Sequence, residues 1–91
     1  MDLLEQVRNA LRLKSHAYDT EITTLIDTAK FDLRRLKITF DDVETEPEIV
    51  TAIILFVKSK FSNYQADYKA QMAEAYFDFR NTLLLSHTEG Q

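Results

Sequence analysis

An all-α fold, a small bundle of about four helices with antiparallel neighbours, is what this sequence predicts, and three observations predict it. Its 91 residues contain one Gly and one Pro, too few punctuating residues for the many turns of an all-β chain. Apolar residues recur at three- and four-residue intervals, the spacing of a helix face, and not in the alternation of a strand. Short connections separate the periodic segments, which sets successive helices side by side and antiparallel. A composition 45% hydrophobic and 29% charged is that of a globular chain, and the length suits one domain, residues 1–91.

The first helix is expected over about 2–13. Asp2 opens it with Glu5 three residues on, a capping-box start with Asp in place of Ser or Thr. Leu3, Leu4, Val7, Ala10 and Leu11 share one face, and the helix ends near Arg12 to Lys14, where cations suit the negative end of the helix dipole. The second helix is expected over about 19–36, with Ile22, Leu25, Ile26, Ala29, Leu33 and Leu36 following the helical spacing. Arg34, Arg35 and Lys37 close it. They read as dipole-compensating cations on a solvated end before they read as a phosphate site.

Residues 37–46 are expected to form a loop, since Ile38, Thr39 and Phe40 are too few for a strand. Asp41, Asp42, Glu44 and Glu46 make it acidic. They lack the spacing and central Gly of a calcium loop, so they read as a solvated lead into a helix N-terminus, where carboxylates are favourable. The third helix is expected over about 46–64. Either Thr45 caps it with Glu48 as partner, or Glu46 caps it with Pro47 at the first helical position. Ile49, Ile53, Phe56, Val57, Phe61 and Tyr64, flanked by Val50 and Ile54, give it an apolar arc wide enough for several neighbours, so it should be the centre of the fold. The fourth helix is expected over about 67–86, with Tyr68, Met72, Ala75, Tyr76, Phe79 and Leu83 on its core face and a polar tail at 87–91. Tyr64, Tyr68 and Tyr76 read as core residues whose hydroxyls reach water.

Five apolar residues fall off these stripes. Phe31 points away from Ile22 and Leu33, Leu55 sits among Thr51, Lys58, Ser59 and Ser62, and Ala73, Phe77 and Leu84 form a second stripe on the last helix. Scattered exposed hydrophobes are ordinary. A second stripe on one helix instead suggests a surface for a neighbouring copy or another subunit.

Enzyme chemistry is not expected. There is no cysteine, so no disulfide framework and no thiolate metal site. His16 and His87 have no ligands at metal-binding spacing, and no Gly-rich phosphate loop or Ser-centred elbow occurs. Glu74 and Asp78, four apart, read as a solvated face. No catalytic residue, metal or cofactor is therefore expected. The acidic Met1-Asp2-Leu3-Leu4-Glu5 start does not read as a secretory signal, and the longest apolar run, Ile49 to Val57, is far shorter than the ~20 residues that span a bilayer, so no membrane partner is expected. A net charge of −4 runs against the basic stripe of a DNA-binding module.

The order of features resembles the small head–tail connector (adaptor) proteins of tailed bacteriophages. The resemblance is carried by Leu3-Leu4-Glu5-Gln6-Val7 running to Leu11-Arg12-Leu13, by Asp19-Thr20-Glu21-Ile22, and by Ile26-Asp27-Thr28-Ala29-Lys30. It continues through the Pro47-led apolar helix, Asn63-Tyr64, and Leu83-Leu84-Leu85-Ser86. It covers nearly the whole chain. Lys37-Ile38-Thr39-Phe40 departs from the Gly-Arg type of turn that often precedes the proline in that family. The resemblance implies a structural virion protein of the phage neck, a homo-oligomeric ring that would be dodecameric on the virion. That ring would lie between the portal protein and the stopper or tail-completion protein, continuing the channel for packaged DNA. It implies no catalysis. An acidic loop with Asp41, Asp42, Glu44 and Glu46 facing that channel would repel phosphates and let the duplex slide. Two other readings stand beside it: a small helical regulator binding nucleic acid through Arg34, Arg35 and Lys37, and an adaptor for a single protein partner.

Overall fold

The computed structural model describes residues 2–40 and 46–87. Four helices make up the described chain: α1, Leu3–Ala10; α2, Asp19–Arg35; α3, Pro47–Lys60; and α4, Ala66–His87. The all-α bundle is therefore what the chain forms. Helix α3 is its axis, and α1, α2 and α4 all pack on it. Its own composition explains that position. Ile49, Val50, Ala52, Ile53, Phe56 and Val57 are all buried, and at about 100° per residue they cover close to half of its circumference. Val7 and Leu11 from α1 and its end, Ile22, Ile26, Ala29 and Leu33 from α2, and Tyr76 and Leu83 from α4 close the core around it. Each fully buried Ile, Val or Leu contributes about 1.5–3 kcal/mol relative to exposure.

The helix ends show how local chemistry sets these bounds. At α1 the Asp2 carboxylate accepts the Glu5 amide at 2.8 Å, so the N-cap forms as its sequence predicts. At α3 the choice between two caps resolves to Glu46 with Pro47 in the first turn, without a side-chain cap bond. Helices α1 and α2 stop in the same way. Arg12 and Lys37 adopt positive φ, 60° and 68°. The amides that follow bond back across the turn: Leu13 to the Arg8 carbonyl and Ile38 to the Leu33 carbonyl, both at 3.1 Å. This is the Schellman closure, in which glycine usually holds the left-handed position. Here a long cationic side chain holds it twice.

Four sequence expectations need correction. Ile38 lies in the connection between α2 and α3, as expected, yet it is a core residue 1% exposed, because the turn at Lys37 folds it back on Leu33. The third helix ends at Lys60 and not at Tyr64: Phe61 turns extended, and Ser62 gives both its amide and its hydroxyl to Glu21 at the start of α2, each at 2.8 Å. Tyr76 does not send its hydroxyl to water but to Asp32, and Tyr68, expected in the core, is exposed. Leu55, expected off the core, is half-buried against it. Thr45, Asp41, Asp42 and Glu44 lie outside the described residues.

Candidate functional site

Helices α2 and α4 flank α3 and leave an open groove of about 390 Å³ between them. Phe56 and Ser59 of α3 lie beneath it, with Thr28, Phe31, Asp32 and Arg35 from α2 and Ala73, Tyr76, Phe77 and Arg80 from α4. Lys60 stands at the end of α3. The helical repeat explains the grouping: Thr28, Phe31, Asp32 and Arg35 are spaced three, four and seven apart, and so are Ala73, Tyr76, Phe77 and Arg80.

Asp32 organises the groove. Its Oδ2 accepts the Tyr76 hydroxyl at 2.5 Å and an Arg80 guanidinium N–H at 3.0 Å, and its Oδ1 accepts Arg35 at 2.7 Å. Partial burial works against ionisation of Asp32, but the hydrogen bonds from Tyr76, Arg35 and Arg80 outweigh it and hold the carboxyl below its ordinary range. Burial, then the bond to Asp32, pushes the Tyr76 phenol well above the ordinary tyrosine value, so it stays a neutral donor. Arg80 lies over the Phe77 ring at 4.8 Å and the Tyr76 ring at 5.6 Å, and its Nε is buried without a hydrogen-bond partner among the described residues. Lys60 stands over the Phe56 ring at 6.0 Å. The result is an aromatic trough with a cationic rim and one carboxylate in its wall.

Of the five residues that sequence set aside as a partner surface, Phe31, Ala73 and Phe77 come together here. Phe31 is 69% exposed and Phe77 48%, on opposite rims. Leu55 and Leu84 do not join them; both are half-buried against the core. Glu46, expected in an acidic loop, is the half-buried N-cap of α3. Of the basic trio, Arg35 is tied to Asp32, Arg34 lies over the Phe40 ring at 4.5 Å, and Lys37 is the left-handed closing residue of α2. The Asp32 cluster escaped sequence reading. Its only local trace is the Asp32–Arg35 spacing of three, because Tyr76 and Arg80 come from 44 and 48 residues away.

A second polar seam joins α1 to α2. Arg8 meets Asp19 through two parallel bonds of 3.0 Å, and His16 Nδ1 lies 3.0 Å from the same carboxylate. Hydrogen bonds from Arg8 and then His16 hold Asp19 below its ordinary range. Among the described residues no group of three or more His, Cys, Asp or Glu is placed to hold a metal ion, and no helix is long and apolar enough to cross a membrane. No family model, curated protein or solved structure matches this chain.

Proposed function

We propose that this chain is a non-catalytic assembly subunit of the tailed-phage neck, a head–tail connector repeated around a ring between the portal and the stopper or tail-completion protein. The observation that carries the reading is the pair Phe31 and Phe77, each widely exposed, on the two rims of one groove. A 91-residue chain with so much aromatic surface left open gains buried area by meeting another protein. Contacts of the head-to-tail kind, repeated about an axis, close into rings. In such a ring the DNA passes through the channel without being gripped, and the protein's place is the virion, after assembly in the host cytoplasm.

The test is assembly. Purified protein mixed with its cognate portal and imaged by negative stain is expected to add a ring of copies to the portal. A protein that neither self-assembles nor binds the portal overturns the reading. Replacing Phe31 and Phe77 together by Ser is expected to lower the assembled mass in light scattering and leave the helical circular dichroism unchanged. The nucleic-acid reading draws less support, because Arg35 is tied to Asp32 and Arg34 lies over the Phe40 ring, so two of its three cations already have partners within the fold. A salt-dependent shift of short duplex DNA would revive it.

A further inference from the structure

We infer that the groove between α2 and α4 is a head-to-tail docking site for a second copy of this chain, and that it takes the acidic outer face of that copy's α4, carried by Asp67, Glu74, Asp78 and Leu85. The inference rests on the self-assembly part of the reading above and not on the phage neck itself.

Helix α4 presents two different faces to its surroundings. One is the groove wall, with Ala73, Phe77 and Arg80. The other is a stripe of Asp67, Glu74, Asp78 and Leu85, spaced seven, four and seven residues apart. At about 100° per residue that spacing keeps all four within about 40° of one another, and turns the stripe roughly a third of the way round the helix from the groove wall. The three acidic residues are exposed, and Leu85 is 80% exposed. No ion pair among the described residues uses any of the three carboxylates.

The groove has the opposite character. Arg35, Lys60 and Arg80 set three cations against the single carboxylate of Asp32, a surplus of two. Since the whole chain totals −4, the remainder of the molecule carries −6. Arg35 and Lys60 are exposed, and Lys60 enters no ion pair among the described residues. A twofold dimer that set groove on groove would oppose two positive surfaces, and one that set stripe on stripe would oppose two negative ones. Stripe in groove pairs unlike charges. The two faces lie on different sides of each copy, so such a contact is not completed by two copies and continues from one to the next.

Spacing fits as well as sign. Arg35 and Arg80 hold the two oxygens of one carboxylate, at 2.7 and 3.0 Å, so their guanidiniums stand close together. Glu74 and Asp78 stand one helical turn apart, about 6 Å along the axis. Two carboxylates on successive turns thus match two neighbouring guanidiniums, with Lys60 beyond them at the end of α3. Leu85 adds an apolar side chain to the stripe, and the groove answers with aromatic rims at Phe31 and Phe77.

The absence of cysteine makes a direct test simple. Ser59→Cys places a thiol at the groove and Gln71→Cys places one beside the stripe, in separate chains. Mixed and gently oxidised, the two are expected to give the unlike disulfide pair in about tenfold excess over either like pair, as a raised effective concentration at a real contact requires. Glu74→Lys with Asp78→Lys in the Gln71→Cys chain should abolish that excess. Arg35→Glu with Lys60→Glu in the Ser59→Cys chain should then restore it; circular dichroism checks that each variant is folded. Statistical pairing of the thiols overturns the inference, and so does an excess of either like pair or an excess that survives reversal of the stripe alone. Portal rings that form while pairing stays statistical reject this contact alone, and if Arg35→Glu with Lys60→Glu then prevents them, the groove belongs to the portal. Selective pairing without portal binding rejects the neck and retains the contact.

Discussion

Two carboxylates on α2 hold the bundle's seams, and they are built differently. Asp19 faces one guanidinium in a two-bond fork and a histidine that adds charge only when protonated. The seam is balanced and complete, and nothing near it asks for a partner. Asp32 receives two guanidiniums and a phenol, so cationic charge and N–H capacity are left over beside an aromatic trough. The first arrangement staples α1 to α2. The second joins α2 to α4 and leaves the seam open on its outer side. A bidentate pair matches one carboxylate to one guanidinium, whereas one carboxylate shared among three donors leaves donor capacity beside it.

The comparison is broken most forcefully by removing each centre. Asp32→Ala strands the Tyr76 hydroxyl and Arg80 in a largely buried place and should cost about 2 kcal/mol in urea unfolding, since hydrogen bonds to a charged group contribute ~1.5–3 kcal/mol each and part of that is recovered by water. Asp19→Ala should cost less, because Arg8 and His16 can turn to solvent. Equal losses would mean that the two seams are energetically alike.

Acid sharpens it next. Both aspartates have folded values below the ordinary 3.8, so the stability they add is present above that value and is lost as pH falls through the lower, folded value. Unfolding midpoints followed from pH 6 to 2 should fall below about pH 4, and the fall should be shallower in Asp32→Asn. Tyr76 acts at the other extreme. Its folded value is raised, so above the ordinary 10.0 the unfolded chain loses a proton that the folded chain keeps, and stability declines as pH rises further. Tyr76→Phe should remove that alkaline slope.

The smallest effect concerns what the two regions share. Arg12→Gly and Lys37→Gly relieve the left-handed backbone at the ends of α1 and α2, and each should raise stability by about 0.5–1 kcal/mol in thermal unfolding. A gain at one site only would show that the other turn is held by its side chain.

Much of this architecture is legible in the order of residues because it is local. The stripes Leu3–Val7–Leu11 and Ile22–Ile26–Ala29–Leu33 are buried as their spacing predicts, and so is the broad arc of α3. What was illegible is non-local or glycine-free. Ile38 enters the core through a turn whose usual marker, glycine, is replaced by Lys37. The stop at Lys60 depends on Glu21, 41 residues earlier. For the groove, the sequence identified Phe31, Ala73 and Phe77 as apolar residues without a place, but it could not exclude Leu55 and Leu84, whose cover depends on how neighbouring helices meet. The charge hub at Asp32 had no local signature beyond one spacing of three.

The clasp of Ser62 on Glu21 bears on the order in which the chain folds. Helices nucleate from near neighbours, whereas this clasp needs residues 41 apart to be brought together first. A contact made only after the rate-limiting step governs how long the native state lasts and not how fast it is reached. In stopped-flow experiments Glu21→Ala should raise the unfolding limb of the chevron by several-fold and leave the refolding limb in place. If it does, two hydrogen bonds at the α3–α4 corner act as the latch that sets the lifetime of the folded chain.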